Sequence, residues 1–317
     1  MQFLRQICGV PESISYLLFV IVLQSACADE AAVSGDATIR APYGGSEIVI
    51  KTTSRLAGAI DSLRWNGKEF IDSTDHGRQL QSATSFDAGS TFTVETFNPT
   101  EAGSVDDGAG AKSSSRLLHL IAKENYLQTT SQMAFWLSPT GNSGGKPAKN
   151  STVLSDHLVT KRVRIGVGKL SNVLAYDVSF NLPVGEKHHY AQFEALTGYM
   201  PAEFSKFWKF NPESMALEPL DDGPGEQPFP VVLATESGSH AMGIIARDPT
   251  PRGMTGPGYG RFRFRHEKVV KWNCVCRLRD DQNGIPATDY LFRQYVIVGD
   301  LDSVTSSLTA IQRERSR

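Results

Sequence analysis

Over long stretches of this chain apolar residues occupy every second position, the pattern of a strand with one buried face and one wet face. Across residues 174–182, Leu174, Tyr176, Val178, Phe180 and Leu182 alternate with Ala175, Asp177, Ser179 and Asn181. Val163, Ile165 and Val167 repeat the pattern upstream, and Ile48 and Ile50 show it near the start. Residues 58–65 run into Asn66-Gly67, a pair that takes φ > 0 readily and closes a hairpin, with residues 69–71 as the return strand. Further strands are expected over 91–97, 116–122, 127–137, 231–235, 241–246, 261–265, 269–278 and 290–298. Helix is scarce. Asp302 is expected to cap a terminal helix carrying Val304, Leu308 and Ile311 on one face, and residues 201–208 predict one short helical turn. Polar or Pro/Gly-rich loops fill 101–115, 140–150 and 220–230, and no repeat recurs at a fixed period. The prediction is an all-β fold: one large antiparallel β-sandwich, supersandwich-like, with long loops and a short C-terminal helix.

Composition changes this picture first at the N-terminus. A head with Arg5, an apolar run over 14–23, and Ala26 and Ala28 ahead of Asp29 have the layout of a secretory signal peptide covering 1–28. Residues 29–44 are expected to be a flexible leader and 45–317 the single sandwich domain. Leu23 ahead of Cys27 supports a second reading, a lipoprotein acylated at Cys27, although Gln24 fits that pattern poorly. The apolar run is too short to span roughly 30 Å of hydrocarbon, and no later run is longer, so no transmembrane segment is expected. The protein is therefore placed outside the cytoplasm, secreted or periplasmic. Its formal net charge is -2 with the basic residues scattered, which argues against a nucleic-acid partner. Beyond the leader only Cys274 and Cys276 remain; two apart on a strand, they share a face and are expected to pack in the core.

Candidate chemistry is dispersed. The chain has no Gly-x-Ser-x-Gly elbow, no His-Glu-x-x-His helix and no phosphate loop, so no metal and no cofactor are expected. Asp106 and Asp107 match no calcium-loop spacing and read as a solvated turn. Three segments crowd polar and aromatic residues more densely than a solvated strand requires. The first holds His76, Arg78 and Gln79, where a rigid guanidinium fork beside an imidazole suits a hydroxyl-rich or carboxylated ligand. In the second, a strand through 188–195 would place His188, Tyr190, Gln192 and Glu194 on one face, supplying acid, base and hydrogen-bonding partners. Tyr199, Phe207 and Trp208 follow as a candidate aromatic platform for a sugar ring. The third places His240 at the start of a strand. The same residues also suit plainer roles: a polar strand face, a structural histidine, a core tryptophan.

The hairpin Gly58-Ala-Ile-Asp-Ser-Leu-Arg-Trp-Asn-Gly-Lys-Glu-Phe70, followed by His76 and Arg78, resembles the opening hairpin of galactose-mutarotase-like proteins. Residues 98–104, 193–201 and 222–227 resemble segments of an uncharacterised family of exported bacterial proteins. The first resemblance implies a large sandwich with a sugar-binding cleft on a concave face, a fold that hosts epimerases, polysaccharide lyases and carbohydrate-binding domains. Epimerase chemistry would use His188 or His240 with Glu194; lyase chemistry would use Tyr190 with His188 or His189, and Arg78 on a uronate carboxylate. The leading expectation is an exported enzyme acting on a glycan by acid/base chemistry of lyase or hydrolase type. A non-catalytic glycan-binding or envelope protein and a sugar epimerase are the alternatives.

Overall fold

The computed structural model describes residues 33–315, in which the alternating segments pair into two antiparallel sheets. In hydrogen-bonded order the first sheet is Ala37–Tyr43, Ser46–Thr52, Ile60–Trp65, Leu80–Phe86, Tyr190–Pro201, Val269–Arg279, Met254–Phe264 and Gly225–Gln227. The second is Arg116–Lys123, Tyr126–Phe135, Leu154–Val167, Leu170–Asn181, Asp289–Gly299, Ala241–Ala246, Val231–Ala234, Lys206–Asn211 and Ala216–Leu220. The two-residue strand Pro99–Thr100 pairs with Leu80–Phe86 on one side and Tyr126–Phe135 on the other, and so joins the sheets.

The core lies between them. Ile50, Phe86, Phe193 and Trp272 of the first sheet belong to one apolar cluster with Val163, Tyr176, Phe180 and Phe292 of the second. A separate cluster forms where the helix Leu301–Arg315 lies on the second sheet: Val304, Leu308 and Ile311 meet Val173, Val232, Ile245 and Ile297. At about 1.5–3 kcal/mol for each buried aliphatic side chain, that stripe is what holds the helix to the sheet. The cap is Asp300, whose Oδ1 accepts the Ser303 N–H at 2.7 Å, rather than the expected Asp302.

Other departures have local causes. Residues 37–43, expected within the flexible leader, form a strand because Ile39 pairs with Ile50 and both side chains are buried. Residues 91–97 form no strand; Glu95 sits at φ 68, which breaks an extended run. Trp208 lies on the strand Lys206–Asn211, held between Val232 and Pro219, and not on a helical turn. Cys274 and Cys276 are buried and free, and burial pushes both thiols up, Cys276 to about 11. The expected signal peptide, with Arg5, Ala26, Cys27 and Ala28, lies outside the described residues. Among the described residues no helix is long and apolar enough to cross a membrane.

Candidate functional site

The first sheet turns one face to the core and the other to a cleft of about 570 Å³. Three neighbouring strands, Tyr190–Pro201, Val269–Arg279 and Met254–Phe264, carry its charged and aromatic floor, and Leu80–Phe86 adjoins them with Gln81, Ala83, Thr84 and Ser85. The central feature is a β-bulge. Gln192 and Glu194 face the cleft, and strict alternation would send Tyr199 to the core side. The register shifts between Glu194 and Leu196 against one neighbour and between Glu194 and Thr197 against the other. One extra residue reverses the parity, so Thr197 and Tyr199 join Gln192 and Glu194 on the cleft face. The Ala195 carbonyl in the bulge accepts a hydrogen bond from Ser82 Oγ at 2.8 Å.

Cross-strand pairing then sets the chemistry. Tyr199, Lys271 and Phe262 stand opposite one another on the three strands, and Lys271 Nζ lies 4.9 Å from the Tyr199 ring centroid and 5.4 Å from that of Phe262. Phe264 extends this aromatic wall, stacked on Phe262 at 6.1 Å and on Tyr199 at 6.3 Å. Lys271 Nζ pairs with Glu194 Oε1 at 2.8 Å, and Asn273 Nδ2 donates to the same oxygen at 2.5 Å. Two donors converging on one oxygen fix the orientation of the carboxylate. Asn273 is fixed in turn, because its Oδ1 accepts the Gly260 N–H at 3.1 Å. Gly260 is required there: a Cβ would collide with that oxygen.

Burial opposes the charge on Lys271 most strongly, yet Glu194 and Tyr199 together outweigh it and hold its pKa above the ordinary lysine value. Burial raises the Tyr199 hydroxyl, against the lowering effect of Lys271, so this phenol stays protonated at neutral pH. Arg78 lines the opposite wall with its Nε 3.0 Å from Asp75 Oδ2. Trp136 closes the same side, packed so tightly over Gly77 that a Cβ would lie 2.7 Å from its ring. Glu95 and Glu267 complete a lining in which four carboxylates face two cations.

Of the residues singled out in the sequence, the structure brings Arg78, Gln192, Glu194 and Tyr199 together in this cleft. Tyr190 shares their face but lies at the strand's start against Phe92, ring centroids 4.5 Å apart, and does not line the cleft. The others lie elsewhere. His76 is buried with Nδ1 2.8 Å from the Gly108 carbonyl and Nε2 2.9 Å from that of Arg55. Gln79 is buried and donates to Ser73 Oγ and the Asp75 carbonyl. His240 bonds Ser239 Oγ and packs beside Trp65, while Trp208 belongs to the second sheet. His188 precedes the strand, which begins only at Tyr190, and turns into the interior, stacked on Phe86 at 4.5 Å. It meets Glu186 and His157 there, and burial pushes the His157 imidazole down to about 4.

Lys271 was not singled out, and Asn273 was not placed among the expected site residues. Their signal was present: they alternate with buried Val270, Trp272 and Cys274, which places two polar residues side by side on the opposite face.

No protein-family model matches the sequence. No curated protein matches it either. Solved structures align with most of this chain at low identity. A putative aldose 1-epimerase from Klebsiella pneumoniae subsp. pneumoniae MGH 78578 is 9% identical and matches 89% of this chain and 91% of its own at a TM-score of 0.43. An alpha-mannosidase from Enterococcus faecalis V583 is 12% identical over 87% of this chain and 31% of its own, TM-score 0.48. An alpha-galactosidase from Lactobacillus brevis is 8% identical over 88% of this chain and 42% of its own, TM-score 0.44. The chain thus spans less than half the length of the two glycosidases. Likeness at this level carries no argument about family or activity.

Proposed function

We propose that this protein is an exported carbohydrate-active enzyme that binds a neutral glycan in the cleft and moves a proton with Glu194. The observation that carries the proposal is Glu194 Oε1, gripped by Lys271 and Asn273 beside the stacked rings of Tyr199, Phe262 and Phe264. Aromatic faces take the C–H surface of a sugar ring, and the polar floor takes its hydroxyls. Lys271 supplies a permanent positive charge next to the carboxylate, and Tyr199 offers a protonated hydroxyl. The formal excess of carboxylates in the lining disfavours uronate and sulfated polymers, which supports hydrolysis over β-elimination. The leader-like N-terminus supports export toward a polymer.

The test is a product assay on neutral and uronate polysaccharides. New reducing ends from a neutral substrate, abolished in Glu194→Gln, are expected; no product from any polysaccharide defeats the proposal. The ion pair with Lys271 already engages the Glu194 carboxylate, and this favours a second reading, a non-catalytic glycan-binding protein. It predicts glycan binding without products.

A further inference from the structure

A second group of chemistry-bearing side chains lies away from the cleft. His157 is on the strand Leu154–Val167 of the second sheet, and Glu186 and His188 are on the crossover from that sheet to Tyr190–Pro201 in the first. One ligand atom from each lies within 4.8 Å of the other two. Glu186 Oε2 is 2.7 Å from His188 Nε2 and 3.3 Å from His157 Nε2. Both ring nitrogens of His157 are buried without a hydrogen-bond partner, as is Nδ1 of His188. A core that buries two imidazoles leaves such atoms unpaired only at the cost of their desolvation. The rings of Phe86, Phe97 and Phe135 pack against the His157 imidazole and offer it no hydrogen-bonding atom.

We infer that His157, Glu186 and His188 form a binding site for one zinc-type divalent ion. Two imidazoles and a carboxylate are the donors such an ion selects, and oxygen-seeking Ca²⁺ and Mg²⁺ are disfavoured by them. A tetrahedral ion about 2.0–2.1 Å from each donor holds its donors roughly 3.4 Å apart, a spacing between the 2.7 Å of the tightest pair and the 4.8 Å that bounds all three. Asp87 Oδ1 lies 3.8 Å from His188 Nδ1, beyond hydrogen-bonding distance, on the side from which a carboxylate would orient a ligating ring. Glu186 is the exposed member, with its side chain 26% accessible, so entry and a water ligand come from its side. The ion clips the crossover to the second sheet immediately before the strand that carries Glu194.

The test uses untagged full-length protein, stripped with a chelator and titrated with Zn²⁺. One zinc per chain by elemental analysis is expected, with a rise in Tm, and Ca²⁺ and Mg²⁺ should produce neither. His157→Ala and His188→Ala should bind none, and Asp87→Asn should bind on the order of tenfold more weakly. Cys274 and Cys276 are intact in all of these, so zinc held equally by the histidine variants overturns the site. A readout that needs no variant is Co²⁺ loading of the wild type: visible bands of a tetrahedral nitrogen and oxygen site are expected. Failure to bind Zn²⁺ or Co²⁺ stoichiometrically also overturns it.

Discussion

Lys161 with Glu101 and Lys271 with Glu194 are one chemical pair in two settings. The first is sealed between the sheets, its side chains 0% and 1% exposed; the second stands at the cleft floor with 13% and 18%. In the sealed pair Lys161 also donates to the Gly58 carbonyl at 2.5 Å, and Glu101 Oε2 accepts the Ser82 N–H at 3.1 Å. Ser82 in turn holds the bulge carbonyl of Ala195, so the sealed pair supports from beneath the distortion that turns Tyr199 toward the cleft. Their environments drive the two lysines in opposite directions: burial pushes the pKa of Lys161 down against the pull of Glu101, while Lys271 ends above the ordinary value. Ion pairing alone therefore says little about role. A buried pair whose hydrogen bonds all run to the scaffold is structural, and one that opens on an aromatic-walled cleft is available to a ligand.

The largest separation should come from breaking the sealed pair. Lys161→Met leaves Glu101 buried and unpaired and should cost about 3–5 kcal/mol in urea unfolding, with Glu101→Leu in the same chain restoring much of it. A loss under about 1 kcal/mol would contradict its assignment to the scaffold. Lys271→Met should cost less stability, about 1–2 kcal/mol, yet lower turnover about a hundredfold. Equal effects of the two variants on both quantities would erase the distinction.

Alkaline pH should sharpen it through opposite signs. A lysine with a lowered native pKa is bound by more protons in the unfolded chain, so the Lys161 contribution makes stability rise with pH up to the ordinary lysine value of 10.5. The Lys271 contribution is fully present below 10.5 and is lost only as pH climbs beyond it toward the raised native value. Unfolding free energies of wild type and each Lys→Met variant between pH 7 and 10.5 measure the two slopes; a falling Lys271 contribution in that range would be the wrong sign. The smallest contrast is between aromatic residues. Phe262→Ala should weaken glycan binding about tenfold, whereas Trp208→Ala, on the other sheet, should leave it within about twofold.

Much of the sandwich was legible because period-two alternation is a local signal. Residues 241–246 match the strand found, and the runs around 174–182 and 269–278 differ from theirs only at the ends. The candidate site was legible in part. Gln192 and Glu194 follow from alternation, but Tyr199 reaches the same face only through the bulge at Ala195, which the sequence gives no means to place. His188 continues the row by parity, which alone cannot say where a strand begins; the chain folds it inward against Phe86 two residues before Tyr190. Lys271 was obscured for a different reason. It sits in a run dominated by Val270, Trp272 and Cys274, whose burial draws attention to the core face and away from the polar positions between them.

The central claim is that Glu194 acts on a glycan in the cleft, and one paired measurement addresses it most directly. Turnover of the best neutral polysaccharide and affinity for its oligosaccharide are compared in wild type and Glu194→Gln. The account predicts that turnover falls by about 10²–10⁴ while affinity changes by less than about tenfold. Turnover that survives the substitution would contradict it.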